Sequence, residues 1–355
     1  MRTLLTLVAA VLCGGVATAD KVVLVAGGGD GADGTDAAKA KVVQPFAVDF
    51  AADGTVYFVE MVGGERFRSI DKAGKVHTLA GNGKKGNAAG GGDPLKAEFN
   101  GMHNLAVHGD TVYLADTFNA TVRTFDLKAK QLAPFAGTGT KGYADGPAPK
   151  AEFKETICIA LTPDGKTLYV ADIGNKRVRA IDTKSVAVTT VAGTGTAGVP
   201  KDGELAAKQP LVDPRAVAAD DKGNVYVLER GGHALRVIDK EGKIRTVAGT
   251  GKKGNGGNGG PALKAEMNGP KYASIDRDGS VLIADTENHQ IRRYIPGKET
   301  VELVMGTGKA GKGFEADPLK CELARPHGVS VHPKTGDLYV ADSDNGRILK
   351  IERTK

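Results

Sequence analysis

The sequence is poor in residues that stack on bases, form disulfides or span membranes. It has no tryptophan, 5% aromatic residues and only three cysteines among 355 residues. A groove for single-stranded nucleic acid combines clustered cations with aromatic platforms, so this composition disfavours a nucleic-acid partner. Three cysteines cannot form a disulfide framework. No apolar run reaches the roughly 20 residues of a transmembrane helix, so we expect no membrane span.

The N-terminal residues have the features of a secretory signal. A positive start at Arg2 is followed by the apolar run 4–12 and by an Ala-Thr-Ala sequence at residues 17–19. We therefore predict a signal peptide over 1–19, a single domain over 20–355, and a secreted or periplasmic protein. Cys158 and Cys321 remain after cleavage, and the sequence leaves open whether they pair.

A glycine-rich phrase recurs through the chain. The stretch TVAGTGTAG at 190–198 resembles a phosphate-binding loop, which also places glycines after an apolar strand. A nucleotide loop occurs once or twice in a chain, however. Here AGTG or a close variant begins at six positions, Ala26, Ala80, Ala136, Ala192, Ala248 and Met305. The spacing of 54 to 57 residues indicates a structural repeat rather than a nucleotide site.

Each repeat contains four short segments rich in Val, Ile and Tyr. In residues 214–251 they read PRAVAAD, DKGNVYVLE, HALRVID and GKIRTVAGTG. Such segments are typical of β-strands, and four of them form a sheet that cannot bury both faces alone. Radial stacking of six sheets solves this problem. The sequence predicts an all-β, six-bladed β-propeller with four-stranded antiparallel blades near 44–83, 100–139, 155–195, 212–251, 268–308 and 324–352.

The two ends of the chain predict how the ring closes. The last repeat supplies only three strands, whereas the segment KVVLVAGGG at 21–29 reads as a fourth strand without its first three. We expect 21–29 to complete the last blade, which removes two open sheet edges.

Two repeated sets of side chains are interpreted as structural. Phe99, Phe153 and Met267 lie in the loops between blades and are predicted to pack between them. Each second strand of four blades ends in an aspartate with an asparagine three positions later, at Asp116, Asp172, Asp285 and Asp342. Such pairs commonly satisfy nearby backbone N–H groups, although a ring of carboxylates could also bind a cation.

Blades 1 and 4 depart from this pattern. They carry Glu60 and Glu229 at the aspartate position, and glycines follow each of them. We expect these longer acids to reach the channel mouth and contribute to a ligand site there.

The repeated phrase resembles a known family. LIADTENHQIRR (282–293) and LYVADIGNKRVRAI (168–181) are similar to the NHL repeat, and the resemblance covers nearly the whole chain after residue 20. It implies a six-bladed propeller. NHL propellers include binding platforms, RNA-binding domains and the peptidyl-hydroxyglycine amidating lyases, so the fold alone does not decide the function.

The residue that begins each first strand is the least repetitive position in the chain. Because first strands line the axis of a propeller, these six side chains should share one channel mouth. In blade order they are Phe46, His103, Ile157, Arg215, Lys271 and His327. Two histidines, an arginine and a lysine predict ligand contact and a preference for an anionic or carboxylate-bearing ligand.

The distant resemblance to the amidating lyases adds a metal alternative. Those enzymes bind zinc through histidines in P-H-x-[LIV] contexts, which His103 and His327 match. The third alternate blade holds Arg215 in this position, so His233 of the same blade is the candidate third ligand. A catalytic zinc site takes three protein ligands and keeps one open position.

We therefore predict a secreted, monomeric binding platform for a protein, peptide or small anionic ligand, without a cofactor. The alternative is a metal-assisted lyase or hydrolase at the central channel, with zinc, or less favourably calcium, as the metal. The sequence leaves open whether the protein is an enzyme.

Overall fold

Six antiparallel sheets arranged in a ring make up the part of the chain that the structure describes. The computed structural model covers residues 20–354, and the predicted signal segment 1–19 lies outside the described residues. Each sheet has four principal strands, and no α-helix occurs within 20–354. The first strand of every blade contacts the first strands of both neighbouring blades, and blade 6 contacts blade 1. This closed ring confirms the predicted six-bladed propeller.

Blades 1 to 3 follow one another along the chain, each running from the axis outward. Blade 3 gains a two-residue fifth strand, Gly146–Pro147, at its outer edge. The four principal strands of the three blades are Pro45–Phe50, Val56–Glu60, Arg66–Ile70 and Val76–Ala80; Met102–His108, Thr111–Asp116, Thr121–Asp126 and Gln131–Ala136; Thr156–Leu161, Thr167–Asp172, Arg177–Asp182 and Ala187–Ala192.

Blades 4 to 6 repeat the arrangement, and blade 5 has its own outer edge strand, Gly260–Pro261. Blade 6 takes its fourth strand from the other end of the described chain. The principal strands are Pro214–Ala219, Val225–Glu229, Ala234–Ile238 and Ile244–Ala248; Tyr272–Ile275, Val281–Asp285, Gln290–Ile295 and Thr300–Met305; Gly328–Val331, Leu338–Asp342, Arg347–Glu352 and Lys21–Ala26.

The closing strand of blade 6 is the one predicted from the sequence. Lys21–Ala26 pairs antiparallel with Arg347–Glu352, and Val22 lies opposite Ile351. Val22 and Ala26 are buried, and the Val22 N–H donates to the carbonyl of Ala316 in the loop before blade 6. The N-terminal strand therefore closes the ring through both hydrogen bonds and apolar packing.

The recurring glycine phrase marks the turn from each outer strand back toward the axis. Gly193 has a φ of +91°, and a Cβ placed there would lie 2.2 Å from the carbonyl oxygen of Lys176. The equivalent glycines of the other five repeats also have positive φ and meet a carbonyl oxygen at 2.1–2.5 Å, at Gly27, Gly81, Gly137, Gly249 and Gly306. Only glycine fits this conformation and this approach.

The loops that cross between blades contain single-turn 3-10 helices and carry the predicted plug residues. Phe99, Phe153 and Met267 are fully buried, as expected for side chains packed between blades. Other one-turn helices follow second strands. The ten 3-10 helices of the described residues are Ala37–Lys39, Gly90–Gly92, Pro94–Lys96, Thr117–Asn119, Ala148–Lys150, Ile173–Asn175, Ala206–Lys208, Ala262–Lys264, Thr286–Asn288 and Ser343–Asn345.

Every blade also buries one ion pair. The acid at the end of the second strand lies 2.7–3.2 Å from an arginine of the third strand, and the same acid accepts a backbone N–H from the loop that enters the blade. The pairs are Glu60–Arg68, Asp116–Arg123, Asp172–Arg179, Glu229–Arg236, Asp285–Arg292 and Asp342–Arg347. These contacts favour a structural role for the four repeated aspartates, whose carboxylates are occupied by hydrogen bonds and an arginine.

Candidate functional site

Backbone irregularities at the start of the first strands turn four of the six entry side chains, the residues that begin the first strands, toward the axis. In blades 1 to 4 the strand register shifts around Phe46, His103, Ile157 and Arg215, so each is the extra residue of a β-bulge. A bulge bends its strand and redirects the side chain. All six entry residues line one axial cavity of about 10 Å³, together with Asn104, Cys158 and Tyr272. This space holds about one water molecule.

His103 is held by its Nδ1 atom. This nitrogen lies 2.9 Å from the Gly101 carbonyl oxygen and 2.9 Å from Oγ1 of Thr117. The Thr117 hydroxyl donates to the Thr156 carbonyl in the next blade, so its own lone pair faces the ring. Because a carbonyl can only accept, Nδ1 carries the proton, and Nε2 keeps its lone pair.

His327 repeats the same arrangement across blades 6 and 1. Its Nδ1 lies 2.9 Å from the Arg325 carbonyl oxygen and 3.0 Å from Oγ of Ser343, whose hydroxyl donates to the Pro45 carbonyl at 2.6 Å. Its ring stacks on Phe46 with centroids 3.8 Å apart. Two imidazoles in fixed tautomers therefore stand on either side of the Phe46 ring, since His103 meets the same ring edge-on at 5.1 Å.

Both histidines are neutral at pH 7. Burial holds the pKa of each ring well below its usual value, and the charges of Arg215 and Lys271 lower both pKa values further. The mouth therefore takes its charge from the arginine and the lysine, while the imidazoles offer uncharged Nε2 acceptors.

Arg215 makes no ion pair within residues 20–354, although the Asp213 and Glu155 carboxylates act on its charge from a longer distance. The residue is 5% exposed, its Nε atom lacks a hydrogen-bond partner there, and it makes none of the ion pairs seen in that range. Burial lowers its pKa to about 10, which still leaves the guanidinium charged at pH 7. Lys271 differs, because its Nζ lies 2.7 Å from Glu287, and burial lowers its pKa. Of the two cations at the axial mouth, Arg215 is thus the one that makes no ion pair with the described residues.

The structure corrects the expectation for Glu60 and Glu229. Neither lines the axial cavity; both are fully buried inside their blades, where they pair with Arg68 and Arg236. The added side-chain length serves the same ion pair that aspartate makes elsewhere. Sequence reasoning missed these arginines, although an arginine recurs in every third strand.

His233 also lies elsewhere than predicted. It adopts a left-handed backbone conformation, with φ at +46°, and its Nδ1 accepts the Gly269 N–H at 3.3 Å. It thereby bridges blades 4 and 5, as His289 bridges blades 5 and 6 through the Arg325 N–H. His233 does not line the axial cavity beside His103 and His327. Within 20–354, no group of three or more His, Cys, Asp or Glu side chains is placed to hold a metal.

The two remaining cysteines do not pair. Cys158 and Cys321 are both buried free thiols. Cys158 belongs to the axial cavity, where it accepts a hydrogen bond from Asn104 at 3.3 Å, and burial raises the pKa of its thiol to about 11. This thiol is therefore uncharged and contributes no nucleophile at neutral pH.

The axis has a second, wider cavity beyond Tyr272, which borders both spaces. This opposite cavity has a volume of about 440 Å³, and carboxylates of Asp49, Asp220 and Asp276 lie in its wall. Asp49 accepts the Val107 N–H at 2.7 Å and makes no ion pair among the described residues, and burial raises its pKa to about 6. Arg277 lies in the same wall and Asp276 pairs with Arg353, so this end of the axis carries charges of both signs, with Asp49 as an acid that makes no ion pair.

The described helices include none long and apolar enough to cross a bilayer. Solved structures confirm the fold class. Over 94% of this chain and 76% of the other, the fold superposes on a Bacteroides thetaiotaomicron structural-genomics protein with a TM-score of 0.70 at 18% identity. A streptogramin B lyase gives a TM-score of 0.54 at 12% identity, with 93% and 97% of the two chains covered. At these identities the likeness defines a β-propeller and nothing finer.

Sequence comparison identifies the repeat. The sequence model of the NHL repeat matches residues 323–351. NHL repeat-containing protein 2 of Gallus gallus is 28% identical over 294 residues, which cover 73% of this chain and 39% of that protein. Peptidyl-glycine alpha-amidating monooxygenase A of Xenopus laevis is 35% identical over 82 residues, 23% of this chain and 8% of that one. The chain is a six-bladed β-propeller that carries an NHL repeat at 323–351, and it spans less than half the length of these relatives.

Proposed function

We propose that this propeller is a binding platform whose ligand places an anionic, carboxylate-bearing group at the axial mouth. The observation that carries the proposal is Arg215, a buried guanidinium that makes no ion pair in the described chain. Removing a cation from water costs several kcal/mol unless a partner compensates it. A carboxylate offers the planar pair of acceptors that a guanidinium binds best.

The geometry of the mouth limits what enters it. A cavity of about 10 Å³ has room for about one oxygen-sized atom, so a carboxylate would reach into it with one oxygen and the rest of the ligand would lie on the surrounding loops. The free Nε2 atoms of His103 and His327 accept hydrogen bonds, which favours a donor next to the carboxylate. An acylated amino acid or a peptide C-terminus has this combination of a carboxylate and an adjacent N–H.

Calorimetry with N-acetylglycine tests the proposal, and its amide N-acetylglycinamide serves as the uncharged probe. We expect saturable binding of the acid, no binding of the amide, and at least tenfold weaker binding to an Arg215→Met variant. Arg245→Met, on the exposed outer strand of the same blade, is the matched control and should bind as the parent does. Equal affinity in Arg215→Met and the parent would contradict the proposal.

A metal-assisted lyase or hydrolase is the second candidate function. It is favoured by the two histidines, because an imidazole that donates Nδ1–H to a carbonyl presents Nε2 as a metal ligand. A zinc ion could take these two nitrogens, but the third alternate blade offers a guanidinium instead of a ligand. The residues present therefore fit zinc only in part. Metal analysis of the purified protein tests this candidate, and stoichiometric zinc that is lost in His103→Gln would support it.

The site of action is part of the proposal. A signal peptide over 1–19 would deliver the propeller to the periplasm or the exterior, where small acids and peptides are accessible ligands. N-terminal sequencing of the protein from culture supernatant or periplasm is expected to begin at Asp20. An uncleaved chain in the cytoplasm would contradict this assignment.

A further inference from the structure

We propose that blade 1 carries a second binding site, on the propeller rim, that takes the primary carboxamide of an Asn or Gln side chain from a partner polypeptide. The site is formed by Glu60, Arg68 and the turn at Gly63 and Gly64. It is separate from the axial mouth, and its argument rests on a comparison of the six blades with one another.

Four blades show what normally occupies this place. In each, the asparagine three residues after the acid donates its amide to the second carboxylate oxygen at 2.7–2.9 Å and to a loop carbonyl at 2.6–2.8 Å. These residues are Asn119, Asn175, Asn288 and Asn345. A carboxamide is thus a regular component of the blade.

Blade 1 lacks this carboxamide, because its turn is one residue longer and Gly64, whose Cβ would lie 3.1 Å from Oε2 of Glu60, stands beside the acid in place of an asparagine. Oε1 of Glu60 accepts the Val43 N–H and Nη1 of Arg68, both at 2.9 Å. Oε2 of Glu60 and Nε of Arg68 are both buried and have no hydrogen-bond partner within 20–354. Unpaired buried polar atoms are costly, so the pair presents one acceptor and one donor that a ligand can satisfy.

Blade 4 provides an internal comparison. It also combines a glutamate, Glu229, with a glycine three positions later, Gly232. There Oε1 accepts the Val212 N–H at 2.6 Å and Oε2 accepts Nε of Arg236 at 2.8 Å, so both oxygens are used. The unsatisfied pair in blade 1 is therefore not a general result of replacing aspartate and asparagine by glutamate and glycine.

A cavity of about 680 Å³ adjoins the unsatisfied pair and is lined by Glu60, Gly63 and Arg68. Its charges balance, with three acids and three cations, Asp30, Asp33, Glu60, Lys41, Arg66 and Arg68. In this cavity an ammonium group would be repelled by the three cations, and a carboxylate would be repelled by the three acids, so neither charge is favoured overall. A neutral group with one N–H donor and one carbonyl acceptor matches the balance, and a primary carboxamide is that group.

The exposed apolar side chains around the cavity favour a polypeptide as the source of the carboxamide. Leu95, which lines the cavity, is 50% exposed, and Val62, next to Gly63 in the turn, is 57% exposed. A polar anchor in a pocket surrounded by exposed apolar side chains is typical of a protein–protein contact. The partner would insert one Asn or Gln side chain and cover Leu95 and Val62 with its apolar neighbours.

The test uses amide-resolved NMR of the full protein with the probe acetyl-Gly-Asn-Gly methylamide and its Asp and Lys counterparts. We expect the Asn probe to shift the amide signals of Gly63, Gly64 and Thr78, and the other probes to leave them unchanged. Glu60→Gln should weaken binding of the Asn probe about tenfold, as for one lost hydrogen bond to a charged group. Glu229→Gln is the matched control and should bind the probe as the parent does.

A second variant keeps the test decisive if Glu60→Gln unfolds. Leu95→Ser changes only an exposed side chain and is expected to weaken binding of acetyl-Leu-Asn-Leu methylamide, whose apolar side chains can cover Leu95, while the melting temperature stays unchanged. Equal shifts with all three probes, or none with the Asn probe, would overturn the proposal. So would crystals soaked in the Asn probe that show only an ordered water between Glu60 and Arg68.

Discussion

The buried ion pairs of the blades and the entry residues of the axis obey opposite rules. The acid and its arginine recur in all six blades, whereas the entry position holds five different residue types. Both sets are buried, so burial does not explain the difference. Each blade has to hold its own second and third strands together, so the same ion pair recurs in all six repeats. The entry residues meet one another at a single cavity, where each blade contributes a different group.

The arginines of the blades and the arginine of the axis also differ in how their charge is compensated. In the blades each guanidinium has a carboxylate within 2.7–3.2 Å, and further hydrogen bonds surround it. At the axis Arg215 has no such partner in the described chain. The arginine of each blade is paired with an acid of the same chain, whereas Arg215 is the residue that we propose binds a ligand carboxylate. The predictions below test this contrast, beginning with the largest expected effect.

Removal of residues 20–29 tests whether a blade tolerates being incomplete. Blade 6 would lose its fourth strand, expose an edge and lose the buried contacts that Val22 and Ala26 supply. We expect loss of cooperative unfolding or a large drop in melting temperature, measured by circular dichroism. A truncated protein that melts like the parent would show that the N-terminal strand does not close the ring.

Breaking one blade pair should cost nearly as much. Asp172→Leu removes the buried partner of Arg179 and leaves it only the partly exposed Asp145, so we expect a loss at the low end of the range for a broken buried pair, about 3 kcal/mol of unfolding free energy. The double variant Asp172→Leu, Arg179→Met removes both charges and should recover most of that loss. Urea unfolding measures all three proteins. A double variant as unstable as the single one would show that the acid acts through its backbone hydrogen bonds rather than through the pair.

Arg215→Met should behave in the opposite way. Because its buried charge has no partner, its replacement by an apolar side chain of similar length should leave the unfolding free energy unchanged or raise it by about 1 kcal/mol. Urea unfolding at pH 7 without ligand checks this. A loss as large as that of Asp172→Leu would mean that Arg215 is structural, and the contrast between the two regions would fail.

The smallest effect is a pH dependence that differs between the two ends of the axis. His103 and His327 have pKa values below their unfolded values, so the unfolded chain binds more protons as the pH falls below about 6.5. They therefore make the protein less stable in acid. Asp49, with its pKa raised to about 6, binds its proton more readily when folded and makes the protein less stable as pH rises from about 4 to 6.

Urea unfolding between pH 4.5 and 7 in the parent and two variants separates these contributions. The double variant His103→Gln, His327→Gln should lose less stability on acidification than the parent. Asp49→Asn should lose more, because the compensating proton uptake is gone. Identical pH profiles for all three proteins would contradict the assigned pKa directions.

Much of the fold could be predicted because repetition is visible in the sequence. The spacing of the glycine phrase predicts six blades, and the unmatched strand at 21–29 predicts how the last blade is completed. The entry ring was also predicted, since its position in each repeat is known even though its residues differ. Phe99 and its equivalents were read correctly for the same reason.

The partners of individual side chains were harder to predict, because they depend on where each side chain points and not only on its position in the repeat. Glu60 and Glu229 were placed at the channel by their length, but each folds back onto an arginine one strand away. His233 is predicted to be the third ligand of an axial metal site, whereas its left-handed backbone conformation directs the side chain toward blade 5. A repeat period identifies the strand and the end of the strand, but not which neighbour the side chain meets.

The central claim is that the axial mouth around Arg215 binds a carboxylate. A crystal structure of the protein grown with N-acetylglycine tests it most directly. The account predicts the carboxylate within about 2.7–3.2 Å of the Arg215 guanidinium, on the axis, with its N–H directed at Nε2 of His103 or His327. A mouth that holds only water, or a carboxylate bound on another surface of the propeller, would contradict it.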